Sequence, residues 1–205
     1  MGKAPNQRAV VFDIGRVLFQ WQLRVLFAKL IDDPQELDWF LEHVVTEDWH
    51  YEHDRGRPLA EMVPERIALY PRYESHIRAY VQRFTESIPG PVEGSHALVE
   101  RLAERGVPLY GLTNFGDEFW QMFRPTAPIF DLFDDIVVSG VEKLAKPDPR
   151  IYAILEARAG RSGAELFFTD DSPANVAAAR ARGWDAHVFT DARSLEAQLT
   201  AAGLL

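Results

Sequence analysis

The stretch AVVFDIGRVL, residues 9–18, decides the fold of this chain of 205 residues. Its first four residues are apolar and run without a break to the acidic Asp13. Because successive strand side chains point to opposite faces, an unbroken apolar run is typical of a strand covered on both faces, as in a parallel sheet. Asp13 is then expected at the carboxyl end of that strand, the edge where open α/β sheets bind ligands.

The same pattern, an apolar run that ends in polar residues, returns four times along the chain. The runs are residues 107–112, followed by Thr113 and Asn114; 136–138, followed by Ser139; 166–168, followed by Thr169, Asp170 and Asp171; and 186–189, followed by Thr190 and Asp191. They alternate with helical patterns at residues 97–103, 149–159 and 173–182. This alternation predicts βαβ units, and therefore an α/β fold with a doubly wound parallel sheet.

Residues 20–88 differ from the rest of the chain because they contain no convincing strand. Helical stretches occupy residues 23–30, 35–45, 59–70 and 74–87. A helical block that follows the first strand is expected to lie as a cap over the carboxyl edge of the sheet, and a Pro-Gly-Pro run then marks the return of the chain. We therefore predict a core formed by residues 1–19 and 89–205 and a helical cap formed by residues 20–88.

The composition argues against several classes of function. A net charge of −9 disfavours nucleic acid and anionic membranes as partners. Because the chain has no cysteine, disulfides, thiolate metal sites and cysteine catalysis are excluded. No apolar run approaches about 20 residues and the first residues lack the apolar core of a signal peptide, so we expect a cytoplasmic protein without a membrane span. The sequence leaves the oligomeric state open.

Four groups of polar residues are expected to share the carboxyl edge of the sheet. In chain order they lie in VFDIGRVL at residues 11–18, LTN at 112–114, KPD at 146–148 and FTDDSPAN at 168–175. Together and in this order, these motifs resemble those of the haloacid dehalogenase-like (HAD) superfamily over nearly the whole chain. The resemblance implies a hydrolase with a Rossmann-like core and an inserted helical cap of the C1 type. Within the superfamily, the chain resembles phosphatases with an Asp-x-Gly opening, some of which act on sugar phosphates.

The residues themselves suit the cleavage of a phosphate ester. An anionic nucleophile such as Asp13 can reach an anionic phosphoryl group only if positive charges and N–H groups offset the repulsion. Lys146 supplies a positive charge, and the turn at residues 14–16 is expected to present backbone N–H groups. Thr113 or Asn114 can donate a side-chain hydrogen bond to the same phosphoryl group.

Two adjacent acids, Asp170 and Asp171, would repel each other at a strand end unless a cation lies beside them. Together with Asp13 they are expected to bind Mg²⁺, since hard cations prefer carboxylates, carbonyls and water. The family resemblance implies the backbone carbonyl of Gly15 as a further ligand. The expected function is therefore a Mg²⁺-dependent phosphatase that hydrolyses a small phosphate ester, such as a sugar phosphate, through an aspartyl-phosphate on Asp13.

One position departs from the pattern of the family. Its phosphatases usually carry a second Asp, the general acid and base, two residues after the nucleophile, whereas this chain has Gly15. The loss of a positioned general acid costs about 10²–10⁴-fold in rate. Three interpretations stay open: the leaving group needs little protonation, a cap residue or a water molecule donates the proton, or the protein binds phosphorylated ligands with little turnover.

Three further residues are candidates for contact with the substrate in the cleft between cap and core. Arg16 either reaches a phosphate or carboxylate group or pairs with an acid of the cap. Trp21 either lines the cleft or belongs to the core. His50 is the candidate for a replacement proton donor.

His50 lies in the polar stretch EDWHYEHDR, residues 47–55. His50, His53 and Glu47 are spaced to share one face of a helix, which fits a proton donor, substrate contacts or a second metal site. The interpretation that we favour is more conservative: a polar, partly exposed helix that packs Trp49 inward.

Two other functions compete with the phosphatase. A 2-haloacid dehalogenase uses the same aspartate on carbon without a metal, but those enzymes carry small polar residues where this chain has Asp170 and Asp171. A weakly catalytic protein that binds phosphorylated ligands would explain Gly15. It gives no physical reason to keep Asp13 and Lys146 together with the acid pair.

Overall fold

The computed structural model describes residues 8–205, and within this range five strands form one parallel sheet in the order β3-β2-β1-β4-β5. The strands are β1 (Ala9–Phe12), β2 (Leu109–Thr113), β3 (Asp135–Val138), β4 (Leu166–Asp170) and β5 (Asp185–Val188). The fold class predicted from the sequence is confirmed. Each predicted strand differs from the observed one by two residues or fewer at either end.

The cap lies between β1 and β2 and consists of helices. They are α1 (Leu23–Phe27), α2 (Pro34–His43), α3 (Glu47–Asp54), α4 (Leu59–Leu69) and α5 (Glu74–Gln82), with short 3-10 turns at Pro71–Tyr73 and Phe84–Ser87. The inserted helical cap is thereby confirmed, whereas its boundaries at residues 20 and 88 stay a prediction. Gln20 N donates to Gly90 O over 2.9 Å, so the two connections between cap and core run side by side.

Side-chain caps define the first turn of two of these helices. The Asp33 carboxylate accepts from Gln35 N at the start of α2, and the Thr46 hydroxyl accepts from Trp49 N at the start of α3. The single helix predicted over residues 74–87 is interrupted at Arg83, whose backbone (φ −123°, ψ 20°) is not helical.

Helices cover both faces of the sheet, which explains why every residue of β1 is apolar. The core helices are α6 (Ser95–Glu104), α7 (Asp117–Phe123), α8 (Ser139–Glu142), α9 (Pro149–Ala159), α10 (Pro173–Ala181) and α11 (Ala192–Ala201). Val10 and Phe12 pack in a cluster with the cap, α6 and α11, whereas Ala9 and Val11 pack in a second cluster with α9 and α10. No helix within residues 8–205 is long and apolar enough to span a lipid bilayer.

The strand order brings the polar residues of distant segments to one place. β1 pairs with β2 on one side and with β4 on the other, and Phe12 lies opposite both Gly111 and Thr169. The order of the strands along the chain reverses between β1 and β4. This is the switch point of a doubly wound sheet, where a crevice opens beyond the carboxyl ends of the strands.

Candidate active site

Asp13 follows the last residue of β1 and lies at the switch point. Its N–H donates to Thr169 O of β4 over 3.0 Å, which continues the pairing of the two strands. Its carboxylate Oδ1 accepts from Ile14 N over 2.7 Å, and the residue is 7% exposed. The fold therefore presents one carboxylate at the edge of the sheet with its direction fixed.

Lys146 supplies the positive charge of the site, and its side chain is fully buried. Its Nζ lies 2.9 Å from Asp13 Oδ1 and 2.6 Å from Asp170 Oδ2, and it donates to Leu112 O over 2.7 Å. Burial lowers the pKa of Lys146, but the carboxylates of Asp13 and Asp170 more than offset this effect, so the pKa is raised. The charged ammonium group thus bridges Asp13 and the acid pair.

Asn114 holds the backbone of Lys146. Its Oδ1 accepts from Lys146 N over 2.8 Å, and its Nδ2 donates to Lys146 O over 3.0 Å. The Tyr51 hydroxyl of the cap donates to the same carbonyl over 2.8 Å. The structure thus gives Asn114 a positioning role beyond the predicted hydrogen bond to phosphate, although its side chain also borders the cleft.

Thr113, the other candidate donor of this motif, is the last residue of β2 and is 1% exposed. Its hydroxyl has no hydrogen-bond partner among the described residues, and it is not part of the cleft lining. A buried hydroxyl without a partner is costly. Its predicted hydrogen bond to a phosphoryl oxygen stays a prediction.

The two adjacent acids lie in different surroundings. Asp170 is fully buried and accepts hydrogen bonds from Ser172 N, Asn175 Nδ2 and Lys146 Nζ. Asp171 is partly exposed and borders the cleft. Burial raises the pKa of Asp171, and the charge of Asp170 raises it further. Asp170 therefore anchors the lysine, and Asp171 is the acid that faces a ligand.

Three carboxylates form a candidate metal site. One oxygen from each of Asp13, Asp170 and Asp171 lies within 4.8 Å of the others, and Gly15 borders the same cleft. An all-oxygen donor set suits a hard divalent cation such as Mg²⁺. Burial raises the pKa of Asp13 to about 8, and a cation beside the carboxylate would lower it. The residues at this edge therefore fit Mg²⁺.

The turn after Asp13 offers fewer free N–H groups than the sequence suggested. Ile14 N donates to the Asp13 carboxylate, and Arg16 N donates to Phe19 O over 2.7 Å. Within residues 8–205, Gly15 N donates to no backbone or side-chain acceptor. One backbone amide of this turn, rather than three, is thus available to a phosphoryl oxygen.

The cleft above Asp13 lies between core and cap and has a volume of about 280 Å³. Much of its lining is aromatic or aliphatic: Ile14, Phe19, Trp21, Phe84, Ile88, Phe115 and Phe123. Arg16 Nη2 lies 2.5 Å from Glu47 Oε1 of α3, and its guanidinium group lies 5.0 Å from the centre of the Trp21 ring. The structure thus places Trp21 on the cleft and pairs Arg16 with an acid of the cap.

His50 borders the cleft but is buried among aromatic rings. It stacks on Trp21 and Phe84, with ring centroids 4.6 Å and 5.6 Å away, and its Nδ1 lies 2.6 Å from the Tyr80 hydroxyl. Burial lowers the pKa of His50 to about 3, so the ring is neutral near pH 7. A neutral imidazole is a poor proton donor, and the structure therefore disfavours the hypothesis that His50 is the replacement acid. Contact with the substrate stays a prediction.

Helix α3 is more buried than the sequence suggested. Trp49 packs inward as predicted, but His53 and Asp54 are also buried, at 1% and 5% exposure. His53 Nε2 lies 3.4 Å from Glu118 Oε2 of α7. In the described part of the chain, the one group of three metal-ligating side chains is the carboxylate cluster at the sheet edge. The hypothesis of a second metal site in the cap is therefore not supported.

Asp54 is a cleft residue that the sequence did not single out. It ends α3 and borders the same cleft as Asp13. Burial raises the pKa of Asp54 to about 7, against the opposing effects of the Gly116 N–H and the charge of Lys146. An acid at the end of a polar helix is normally expected at the surface. The one signal in the sequence was its spacing of four residues from His50.

Comparison with known proteins places this site in a family. The haloacid dehalogenase-like hydrolase family matches residues 8–183. The chain belongs to this family. The superfamily predicted from the four motifs is thereby confirmed, and with it the assignment of a hydrolase.

Two curated relatives of this HAD-like hydrolase are fungal proteins. The sesquiterpene phosphatase astK of Aspergillus oryzae is 28% identical over 184 residues, which cover 90% of each chain. The drimenol cyclase drtB of Aspergillus calidoustus is 24% identical over 198 residues, which cover 94% of this chain and 36% of that protein.

Solved structures of HAD enzymes share the fold. The enzyme BT-2542 of Bacteroides thetaiotaomicron, crystallised with magnesium and inorganic phosphate, has a TM-score of 0.73 at 21% identity and covers 90% of this chain and 95% of its own. The L-2-haloacid dehalogenase of Xanthobacter autotrophicus has a TM-score of 0.63 at 18% identity, with 97% and 84% covered. At these identities the likeness shows the fold alone.

Proposed function

We propose that this HAD-like hydrolase is a Mg²⁺-dependent phosphatase that forms an aspartyl-phosphate on Asp13. The observation that carries the proposal is the buried ammonium group of Lys146, which lies between Asp13 and Asp170 at the switch point. This charge offsets the repulsion between a carboxylate and a phosphoryl group. The phosphatase astK and the complex of BT-2542 with magnesium and inorganic phosphate support the same chemistry.

Each residue of the sheet edge has a separate task in this proposal. Oδ1 of Asp13 is hydrogen-bonded within the site, so the second carboxylate oxygen is the one that attacks phosphorus. The Gly15 N–H and the unpaired Thr113 hydroxyl are donors for the phosphoryl oxygens. Asp13, Asp171 and the Gly15 carbonyl would hold Mg²⁺, which supplies positive charge to neutralise the phosphoryl group.

A 2-haloacid dehalogenase fits the site less well. Its substrate carries a carboxylate, and the acid pair Asp170 and Asp171 would place negative charge beside that group. Its reaction needs no metal, whereas the carboxylates at this edge lie within 4.8 Å of one another and suit a divalent cation. The acid pair therefore favours phosphate chemistry over attack on carbon.

The lining of the cleft favours an apolar alcohol as the leaving group. The side chains of Phe19, Phe84, Phe115 and Phe123 face the space above Asp13. Sugar hydroxyls would need hydrogen-bond partners that phenyl rings do not offer. The relative astK is named for sesquiterpene substrates, which are hydrocarbon in character. We therefore propose a hydrocarbon monophosphate as the substrate class, and the predicted sugar phosphate becomes the competing substrate in the assay.

An adjoining depression gives a longer hydrocarbon chain room to extend. Its volume is about 570 Å³, and it shares Arg16, Gln20, Trp21 and Glu47 with the cleft. Beyond these shared residues its lining includes Leu23, Leu41 and Val92. The mixed polar and apolar character of this lining suits a chain that leaves the cleft toward solvent.

The function is tested by phosphate release from alkyl and sugar phosphates, with and without Mg²⁺. Release that needs Mg²⁺ and falls by about 10⁴-fold or more in Asp13→Asn is the expected result. The matched control is Asp32→Asn, an exposed acid of the cap outside the cleft. Undiminished phosphate release by Asp13→Asn would contradict the assignment of Asp13 as the nucleophile. Halide release from 2-haloacids without phosphate release would establish the dehalogenase, and no reaction with either class would favour a binding protein.

The substrate class is tested by a series of n-alkyl phosphates of increasing chain length. Burial of each methylene contributes about 0.8 kcal/mol, so kcat/KM is expected to rise about fourfold per methylene until the cleft is filled. Hexose phosphates serve as the comparison of similar size. A higher kcat/KM for a hexose phosphate than for every alkyl phosphate would restore the sugar-phosphate prediction.

A further inference from the structure

We propose that Asp54, on the cap side of the cleft, is the general acid and base of the reaction and supplies the function that Gly15 lacks. The inference rests on the proposed phosphatase function. It assigns a catalytic role to a residue outside the four sequence motifs. It also places the proton donor and the nucleophile on different walls of one cleft.

The fold fixes the position of Asp54. It is the last residue of α3, and its backbone carbonyl accepts from the Ser139 hydroxyl over 2.5 Å. Ser139 also accepts from Phe115 N over 2.9 Å, so the end of α3 is tied to the loop that follows β2 and to the start of α8, which follows β3. Both segments lie at the carboxyl edge of the sheet, where Asp13 lies. The core as well as the cap therefore holds the end of α3, and with it Asp54, at the cleft that Asp13 borders.

The side chain of Asp54 has an unused oxygen. Its Oδ1 is buried and has no hydrogen-bond partner among the described residues, and His50 Nε2 lies 3.4 Å from it. The imidazole is itself held through Nδ1 by the Tyr80 hydroxyl and is neutral near pH 7. A buried carboxyl oxygen without a partner, in a residue that borders a cleft, is a group that a bound ligand would satisfy.

The surroundings of Asp54 favour its protonated form. In the described part of the chain it forms no ion pair with a lysine or arginine. Burial raises its pKa to about 7, so a large fraction of the side chain carries a proton near neutral pH. A general acid works best when its pKa lies near the working pH. Glu47 and Asp48, the other acids of α3 at the cleft, are exposed to solvent.

The two half-reactions balance with this single acid. A carboxylate oxygen of Asp13 attacks phosphorus, and the bond between phosphorus and the ester oxygen breaks with its electron pair moving to that oxygen. The Asp54 carboxyl group transfers its proton to the same oxygen, and the neutral alcohol leaves. In the second half, water attacks phosphorus, Asp54 accepts a proton from the water, and the bond from phosphorus to Asp13 breaks. Inorganic phosphate, ionised Asp13 and protonated Asp54 are restored.

The role is tested by single-turnover release of two leaving groups in the presence of Mg²⁺. An alkyl alkoxide needs a proton to leave, whereas p-nitrophenolate needs little. In Asp54→Asn, alcohol release from an n-alkyl phosphate is expected to fall about 10²–10⁴-fold, and p-nitrophenol release in the first turnover is expected to change by about threefold or less. Phosphate release in the second half should slow equally for both substrates, because both form the same intermediate.

Retained p-nitrophenol release also shows that Asp54→Asn is folded, and Asp32→Asn is the matched control. First-turnover losses of equal size with both leaving groups would overturn the inference and reduce Asp54 to a structural residue. Unchanged alcohol release from the alkyl phosphate would overturn it as well. If the wild type released neither leaving group, the phosphatase function itself would fail, which is a distinct result.

Discussion

The cleft has a core wall, which includes Asp13 and Lys146, and a cap wall, which includes His50 and Asp54. Each wall carries one buried carboxylic acid whose pKa is raised, and the surroundings of these two acids differ. On the core wall, Asp13 lies 2.9 Å from the Lys146 ammonium group and close to two further carboxylates. On the cap wall, Asp54 lies near a neutral imidazole and, among the described residues, has no lysine or arginine as an ion-pair partner. Burial raises the pKa of both acids. Of the two acids, only Asp13 belongs to the candidate metal site, where a bound cation would reverse that effect.

This difference matches what the proposed reaction requires. A nucleophilic carboxylate must be ionised, whereas a general acid must hold a proton, and one fold obtains both by giving each acid different neighbours. The core wall is charged and attracts a metal ion and a phosphoryl group. The cap wall, where Trp21, Phe84 and Ile88 line the cleft, has no lysine or arginine at the cleft among the described residues, and it suits a neutral acid. Substitutions on the core wall should therefore affect attack on phosphorus, and substitutions on the cap wall should affect protonation of the leaving group.

A large loss of both activity and stability is expected from removal of the charge of the core wall. Lys146→Met leaves Asp13 and Asp170 without their shared cation. Phosphate release should fall about 10²–10³-fold, and the free energy of unfolding in urea should fall by about 3–5 kcal/mol. The control is Lys29→Met, which breaks the exposed pair with Glu86 and should cost about 1 kcal/mol or less. Equal losses of stability in the two variants would show that burial of Lys146 is not what matters.

A smaller effect is expected from moving the acid from the cap wall back to the core wall. A Cβ at Gly15 would have no atom within 4 Å, so a side chain fits there. In the Asp54→Asn background, Gly15→Asp should recover about tenfold or more of the alcohol release from an alkyl phosphate. Gly15→Asn, which has the same size but no acidic proton, is the control. Recovery by both variants, or by neither, would argue against a missing proton as the defect.

The pH dependence should distinguish the walls because only one leaving group needs the cap acid. The quantity to measure is the first-turnover rate with an alkyl phosphate divided by that with p-nitrophenyl phosphate. Groups that act equally on both substrates do not change this ratio when they ionise. Since the raised pKa of Asp54 keeps it protonated up to about 7, the ratio should fall about tenfold from about pH 6 to pH 8. A ratio that does not change with pH, or the same fall in Asp54→Asn, would contradict this assignment.

Other titratable groups lie on the elements around Asp54, and any of them that titrates between about pH 6 and pH 8 would also change the ratio of first-turnover rates. They are His50, Tyr51, His53 and Arg55 of the same segment, Tyr80 of α5, Glu118 of α7, Glu142 of α8, and Lys146. Burial lowers the pKa of His50 to about 3 and raises that of Tyr80 well above its usual value, so neither titrates between about pH 6 and pH 8.

The smallest effect is expected where the two walls meet through an exposed ion pair. Arg16 and Glu47 are about half exposed, and such pairs contribute about 1 kcal/mol or less. Glu47→Gln should therefore change kcat/KM by about fivefold or less, and Arg16→Ala should do the same. A much larger loss in Arg16→Ala alone, measured as an increase in KM, would show that Arg16 binds the phosphate group directly.

The core wall could be predicted from the sequence because parallel strands bring their carboxyl ends to one edge. Asp13, Lys146 and Asp171 each follow a strand or a loop in the expected order, and the structure places all three on one cleft. The different surroundings of the two adjacent acids could not be predicted, since they depend on the side chain of Asn175 one helical turn later. The positioning role of Asn114 likewise depends on a backbone that lies 32 residues away.

The cap wall could not be predicted, because its chemistry depends on burial by distant segments. Residues 47–55 are mostly polar and suggested a partly exposed helix. In the structure, Tyr80 of α5 and Phe119 of α7 cover this helix, and both rings lie within about 6.1 Å of the His50 ring. This covering keeps His50 neutral near pH 7, and burial raises the pKa of Asp54 to about 7. The spacing of Asp54 from His50 in the sequence does not reveal that distant segments cover this helix.

The central claim is that Asp13 on the core wall is the nucleophile and Asp54 on the cap wall is the general acid and base. It is tested most directly with the Asp54→Asn variant, which is mixed with p-nitrophenyl phosphate and Mg²⁺, quenched in acid and analysed by mass spectrometry. Without the cap acid, the first half-reaction should proceed and the second should be slow. One phosphoryl group per protein is then expected on Asp13, with an equal burst of p-nitrophenol. A phosphoryl group on another residue would contradict these roles. Release of p-nitrophenol and phosphate without any modification of Asp13 would contradict them as well.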